Sequence, residues 1–174
     1  MTNIKGVMLI DIGLGPIIFH LYSACEYFKE IILLSGQFEG KALKLKATVK
    51  HVLKCYIDRE NITDPLEIPQ ADCLLVTHIL DVISKDENEF ISNLKKFTKL
   101  IKPGGQLVIY GALNATYYMV GEDKFHAFSY DENFIRKPIE GAGFVINHCQ
   151  TRPKKTKSDL TDYKAIIFIS ACKN

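Results

Sequence analysis

Apolar runs and helical stripes alternate along most of this chain. Val7 to Ile12 is a continuous apolar stretch broken only by Asp11, and Glu30 to Leu34 is a second; both predict strands. Between them Ile18, Leu21, Tyr22, Cys25 and Phe28 recur at three- and four-residue steps, the spacing of an amphipathic helix. Lys41 to Lys50 is rich in Ala, Leu and Lys and predicts a short helix running into a third strand near His51 to Tyr56. Asp58 to Gln70 holds Asn61, Asp64, Pro65 and Pro69 and reads as loop. Ala71 to Thr77 is nearly all apolar, as a strand covered on both faces should be.

The second half continues the alternation. Asp86 to Leu100 carries Phe90, Ile91, Leu94, Phe97 and Leu100 on one face, with Lys95, Lys96 and Lys99 on the wet side. Lys102-Pro103-Gly104-Gly105 should end that helix before a fifth strand, Gln106 to Tyr110. Asp131 to Glu140 looks helical, although Pro138 should kink or shorten it. Phe144 to Cys149 and Ala165 to Ala171 predict two last strands with no helix between them. Their linker, with Arg152, Lys154, Lys155 and Lys157, reads as a solvated hairpin loop. The order predicts an α/β fold, a mostly parallel sheet with an antiparallel C-terminal edge hairpin.

Composition narrows the class. The 174 residues suit a single domain, 1–174, and 47% hydrophobic with 24% charged residues is ordinary for a soluble globular chain. A net charge of +2 gives no reason to expect a nucleic-acid partner. The five cysteines (Cys25, Cys55, Cys73, Cys149 and Cys172) are odd in number and widely spaced, so reduced thiols in a cytoplasmic protein are expected. No apolar run reaches membrane-spanning length and no signal-peptide pattern opens the chain.

The candidate chemistry begins at Asp11-Ile12-Gly13-Leu14-Gly15-Pro16, an acid and a Gly-x-Gly turn between a strand and a helix. Glycines there let backbone approach a ligand closely. A dinucleotide fingerprint needs a third glycine where Ile18 stands and an acid after the second strand, where Leu33-Leu34-Ser35-Gly36 has none. The Gly-Lys-Ser/Thr of a phosphate-cradling loop is also missing. An acid, Gly-x-Gly, and a later Lys-Pro-Gly-Gly form instead the layout of S-adenosylmethionine-dependent methyltransferases.

The resemblance becomes more specific along the chain. Leu9-Ile10-Asp11-Ile12-Gly13, Ser23-Ala24-Cys25-Glu26, Val52-Leu53-Lys54-Cys55, Ala71-Asp72-Cys73, Lys102-Pro103-Gly104-Gly105 and Tyr117-Tyr118-Met119-x-Gly121-Glu122 occur in order. Together they resemble the nicotinamide/phenylethanolamine/indolethylamine N-methyltransferase family, over Lys5 to Lys173. The resemblance implies a Rossmann-like methyltransferase fold, S-adenosyl-L-methionine as cofactor, and a small-molecule nitrogen substrate: nicotinamide, a related pyridine or an amine. It also implies a monomer with no nucleic-acid or membrane partner.

By that resemblance, Asp11, Gly13 and Gly15 border the cofactor's methionine end and Phe19 lies near it. Ser35 stands where relatives carry the acid that holds the ribose. Tyr56 and Ile57 stand where relatives have Asp-Val, whose aspartate bonds the adenine amino group, unless Asp58 shifts into register. Thr77 matches a cofactor contact. On the substrate side Asp81 is kept and Tyr118 remains beside Tyr117. Gly111 replaces an aspartate, and Ala115 and Ala127 replace two serines. Each unmade polar bond should cost about 1–3 kcal/mol of selectivity. His78 and His126 are given no role. No catalytic or metal-ligating residue is expected, because a neutral pyridine nitrogen accepts a methyl group from a sulfonium without a general base.

The family pattern also has a cap before the first strand and a longer helix after the second. Met1 lies almost at the first strand and Ser35 to His51 is short, so both are expected to be missing here. The resemblance therefore implies an S-adenosylmethionine-dependent N-methyltransferase, with a catalytically impaired family member as the alternative.

Overall fold

A computed structural model describes residues 4–13, 27–34, 49–155 and 158–174. Strand β1 (Gly6–Gly13) is the centre from which the sheet grows in both directions. On one side it pairs in parallel with β2 (Phe28–Leu34), which pairs in parallel with β3 (Val49–Leu53). On the other it pairs in parallel with β4 (Ala71–Thr77), followed by β5 (Ile101–Leu113). Two antiparallel strands complete that side: β9 (Ala165–Lys173) against β5, and β8 (Phe144–Pro153) at the edge. The seven-stranded order is β3-β2-β1-β4-β5-β9-β8. The chain leaves β1 in one direction and returns on its other side at β4, so a crevice opens at their carboxyl ends.

Alternation along the strands builds the main core. Ile10, Ile12, Leu74, Val76, Leu107, Ile109, Ile167 and Ile169 all bury on one sheet face. Helix α2 (Glu87–Thr98) lays Phe90, Leu94 and Phe97 on that face, and α3 (Glu132–Gly141) adds Ile135 and Ile139. Each helix begins at an acid: Asp86 accepts from the Glu89 amide at 2.9 Å and Asp131 from the Phe134 amide at 2.7 Å. Leu9, Ile31, Leu33, Cys73 and Val108 bury on the opposite face. At the amino ends of the strands Asp72 accepts from the amides of Val7 (2.8 Å) and Met8 (2.9 Å) and from the Lys102 ammonium (2.9 Å). These bonds, the Met8 amide first, hold its carboxyl below the usual carboxylate range.

Several sequence expectations change. Phe28 opens β2 rather than closing a helix, and β3 begins at Val49, two residues before the expected start. Lys102-Pro103-Gly104-Gly105 does not lie ahead of the fifth strand but inside it, where the β4–β5 register shifts between Ala71 and Cys73. A side chain at Gly105 would lie 2.9 Å from the Lys102 carbonyl, so the tight bulge requires glycine. Pro138 does not shorten α3, which runs on to Gly141. Two elements had no forecast: the one-turn α1 (Leu80–Ile83), and a separate antiparallel ribbon of β6 (Tyr117–Val120) and β7 (Asp123–His126). The helices expected over 18–28 and 41–50 fall largely outside the described residues.

Candidate functional site

The carboxyl ends of β1, β4 and β5 meet at one side of the sheet. Asp11 is 6% exposed and aligned with Leu33 and Leu75 on the strands either side. Gly13, two residues on, pairs with Thr77, whose Oγ1 is buried without a hydrogen-bond partner among the described residues. Ser170 Oγ is buried in the same condition, but Thr77 is the one that stands at the carboxyl end of its strand beside Gly13. Gly15, Phe19 and Ser35, the other predicted residues of this end, lie outside the described residues.

The residues expected at the adenine end follow β3. The Arg59 guanidinium lies 4.1 Å and the Lys54 ammonium 4.8 Å from the Tyr56 ring centre. The Ile57 carbonyl accepts from the Lys96 ammonium at 2.7 Å. Both positions are thus engaged by the chain's own cations. Asp58 beside them is exposed. Burial pushes the neighbouring Cys55 thiol up to about 11, so it stays protonated at neutral pH.

Beyond Thr77 the chain turns sharply. His78 adopts φ +47°, donates its amide to the Tyr110 carbonyl at 2.9 Å and sets its ring edge-on to Tyr110. That turn delivers Asp81 into the first turn of α1. Asp81 does not cap the helix, because Ile79 holds the cap position. Its side chain is instead buried, with the residue 5% exposed, and burial lifts its carboxyl to about 6 against the opposing pull of its own amide.

Asp81 faces a cavity of about 280 Å³. Ala112, Ala115 and Ala127 form an apolar wall, Tyr117 and Tyr118 come from β6, and His78 and Tyr163 close the sides. Tyr118 stacks on Phe125, and the Lys124 ammonium lies 3.9 Å from the Tyr117 ring centre. The cavity therefore unites predicted residues Asp81, Ala115 and Tyr118. It also includes His78, which was given no role. His126 is exposed on β7.

Gly111 is placed differently. It is not among the lining residues, and a side chain there would fall on the Tyr130 hydroxyl. Tyr130 is itself nearly buried, packed by Phe90 and Phe134. An acidic side chain at 111 would collide with that phenol. No feature of one sequence could reveal this, since the end of β5, the ribbon and irregular chain lie between Gly111 and Tyr130.

The linker between β8 and β9 also departs from expectation. Lys154 is not a solvated charge: its ammonium donates to the carbonyls of Thr161 (2.6 Å) and Ser158 (3.2 Å) and lies 4.7 Å from the Tyr163 ring centre. Lys157 lies outside the described residues. Thr161 and Tyr163 thus join the cavity wall from a segment read as solvent-facing loop.

A model of the NNMT/PNMT/TEMT family matches residues 34–174. The chain belongs to that family. Nicotinamide N-methyltransferase of Homo sapiens is 30% identical over 209 residues, covering 99% of this chain and 79% of its own. The Sus scrofa enzyme of the same name is 31% identical, with 97% and 78% covered, and indolethylamine N-methyltransferase of Oryctolagus cuniculus is 29% identical, with 98% and 79% covered. Among solved structures, an S-adenosylmethionine-dependent methyltransferase from Methanosarcina mazei superposes with TM-score 0.72 at 15% identity, covering 97% of this chain and 93% of its own. The 1,6-didemethyltoxoflavin-N1-methyltransferase of Burkholderia thailandensis gives 0.70 at 13% identity, covering 98% and 72%.

The fold of this NNMT/PNMT/TEMT member is thus that of S-adenosylmethionine-dependent methyltransferases, as the motifs implied. In it the β1–β4 crevice and the Asp81 cavity sit next to each other, joined by the Thr77–Asp81 turn. Among the described residues no cluster suits a metal ion, and no helix is long and apolar enough to cross a membrane.

Proposed function

We propose that this chain is an S-adenosylmethionine-dependent N-methyltransferase acting on nicotinamide or a related pyridine or amine. The observation that carries the reading is the cavity holding buried Asp81 one short turn from Thr77, in a member of the NNMT/PNMT/TEMT family. Gly13 and the open Thr77 hydroxyl fit the cofactor's methionine end, with Asp11 behind them. When bound, S-adenosylmethionine would supply a sulfonium-activated methyl group, taken by the nitrogen lone pair as the C–S bond breaks and S-adenosylhomocysteine leaves.

The chain's own residues do the rest by placement. Tyr117, Tyr118 and the alanines form a slot for a flat or arylalkyl body. Asp81, ionised above about pH 6, gives the nitrogen's developing positive charge a fixed partner at the cavity wall. Alignment and exclusion of water supply most of the acceleration, and no general base is required for a pyridine nitrogen. Burial of Asp81 in the cavity beside Thr77 favours this reading over a catalytically impaired member. We further place the enzyme in the cytoplasm, as a monomer acting on small molecules without nucleic-acid partners. Free thiols at all four described cysteines and a net charge of +2 support that placement.

Calorimetric titration with S-adenosylhomocysteine tests the cofactor half. The wild-type chain should bind it, and Thr77→Val, which removes the open hydroxyl while keeping the shape, should bind it more weakly. A folded wild-type sample that shows no heat of binding contradicts the reading.

A further inference from the structure

The cavity's outer wall is assembled from two stretches far apart in sequence: Ala115 to Tyr118 at the start of β6, and Thr161 to Tyr163 before β9. One side chain joins them. The Asp162 carboxylate accepts from the Thr116 amide at 2.7 Å, the Thr116 hydroxyl at 2.5 Å and the Tyr117 amide at 3.3 Å. Backbone bonds flank this knot, from Met119 N–H to the Leu160 carbonyl (2.8 Å) and from Lys164 N–H to the Leu113 carbonyl (2.9 Å). Every residue next to the knot lines the cavity: Ala115 and Tyr117 beside Thr116, Thr161 and Tyr163 beside Asp162.

We propose that Asp162 is a positioning residue for the substrate, a latch that locks the two wall segments together and fixes Tyr117, Tyr118 and Tyr163 opposite Asp81. The proposal rests on the N-methyltransferase reading, and adds a group that touches neither reactant. A carboxylate suits the task because its two oxygens satisfy three donors at once, two of them amides at the strand start. The latch lies on the substrate side, away from Gly13 and Thr77. Losing it should therefore loosen the aromatic slot and spare the cofactor end.

The test compares Asp162→Ala with Asp162→Asn in the full chain. Asparagine keeps an oxygen for the amides and offers its NH₂ to the Thr116 hydroxyl, whereas alanine keeps nothing. Asp162→Ala should raise KM for nicotinamide or tryptamine roughly tenfold or more, leave S-adenosylhomocysteine affinity unchanged, and speed hydrogen exchange at the Thr116 and Tyr117 amides. Asp162→Asn should restore KM and protection towards wild type. Should Asp162→Ala fail to fold, Thr116→Ala, which removes one donor, carries the same comparison with a smaller KM rise. The proposal is overturned if KM stays at the wild-type value while amide protection is lost. It is also overturned if KM and cofactor affinity weaken together, as general destabilisation would make them. Wild-type chain that neither binds S-adenosylhomocysteine nor transfers methyl would overturn the functional reading, and the proposal with it.

Discussion

Asp81 stands between stability and function. Burial lifts its carboxyl from 3.8 to about 6, so the folded chain binds more protons than the unfolded chain within that window. Stability therefore falls as pH rises through it, by an amount on the order of 3 kcal/mol once the group is fully ionised. Asp81→Asn removes the buried charge. It should raise the melting temperature at neutral pH and flatten the pH dependence of thermal unfolding between pH 4 and 6, while weakening substrate binding. A melting temperature unchanged at neutral pH would show that the carboxyl is not held in a costly place. In wild-type enzyme, turnover should decline as pH falls through about 6 and Asp81 protonates.

Gly111 and Tyr130 form the second residue-scale case. Because a side chain at 111 meets the Tyr130 hydroxyl, Gly111→Ala should destabilise by about 1–3 kcal/mol through overpacking. Adding Tyr130→Phe opens that space and should recover much of the loss. Urea unfolding of the two singles and the double closes the cycle, and additive effects would contradict the packing read from the structure. This pair also explains why a specificity argument from position 111 alone is incomplete. The sequence shows that an acid is missing; only the fold shows what took its space.

At the scale of elements, the helices with strong signals were legible. Phe90, Leu94 and Phe97 share one face at the spacing the chain displays, and Asp86 supplies the cap where the stripe begins. Leu94→Ala should cost about 2–5 kcal/mol because it empties a fully buried position, whereas Asp86→Ala should cost about 1 kcal/mol. Chemical denaturation of the two variants measures that ratio directly. The β6–β7 ribbon was not legible for a physical reason. Its β7 residues are all exposed, so no burial pattern marks it, and it stands on a two-residue turn at Gly121-Glu122 and on ring contacts. Lys-Pro-Gly-Gly misled in the opposite way: residues that usually stop an element here shape a bulge within one.

At the scale of the molecule, a local loop motif became a site only through topology. The crossing from β3 back to β4 sets Gly13 against Thr77, and the next turn puts Asp81 in the adjoining cavity. The mostly parallel sheet and its antiparallel C-terminal edge followed from the alternation of apolar runs and helical stripes, whereas the strand order is read from the fold. The cavity's outer wall did not, since Tyr163 and Asp162 arrive from a linker whose lysines suggested solvent and whose Lys154 turns inward instead. Long-range side-chain bonds leave no periodic trace in the sequence.

Methyl transfer to nitrogen is the activity that decides the function of this chain. Incubating the full chain with S-adenosylmethionine labelled in its methyl group, and with nicotinamide or tryptamine, then identifying products by mass spectrometry, addresses it most directly. An N-methylated product from at least one of these acceptors, lost or strongly reduced in Asp81→Asn, is the expected result. A folded chain that binds S-adenosylhomocysteine yet yields no methylated product from any pyridine or amine offered would contradict it.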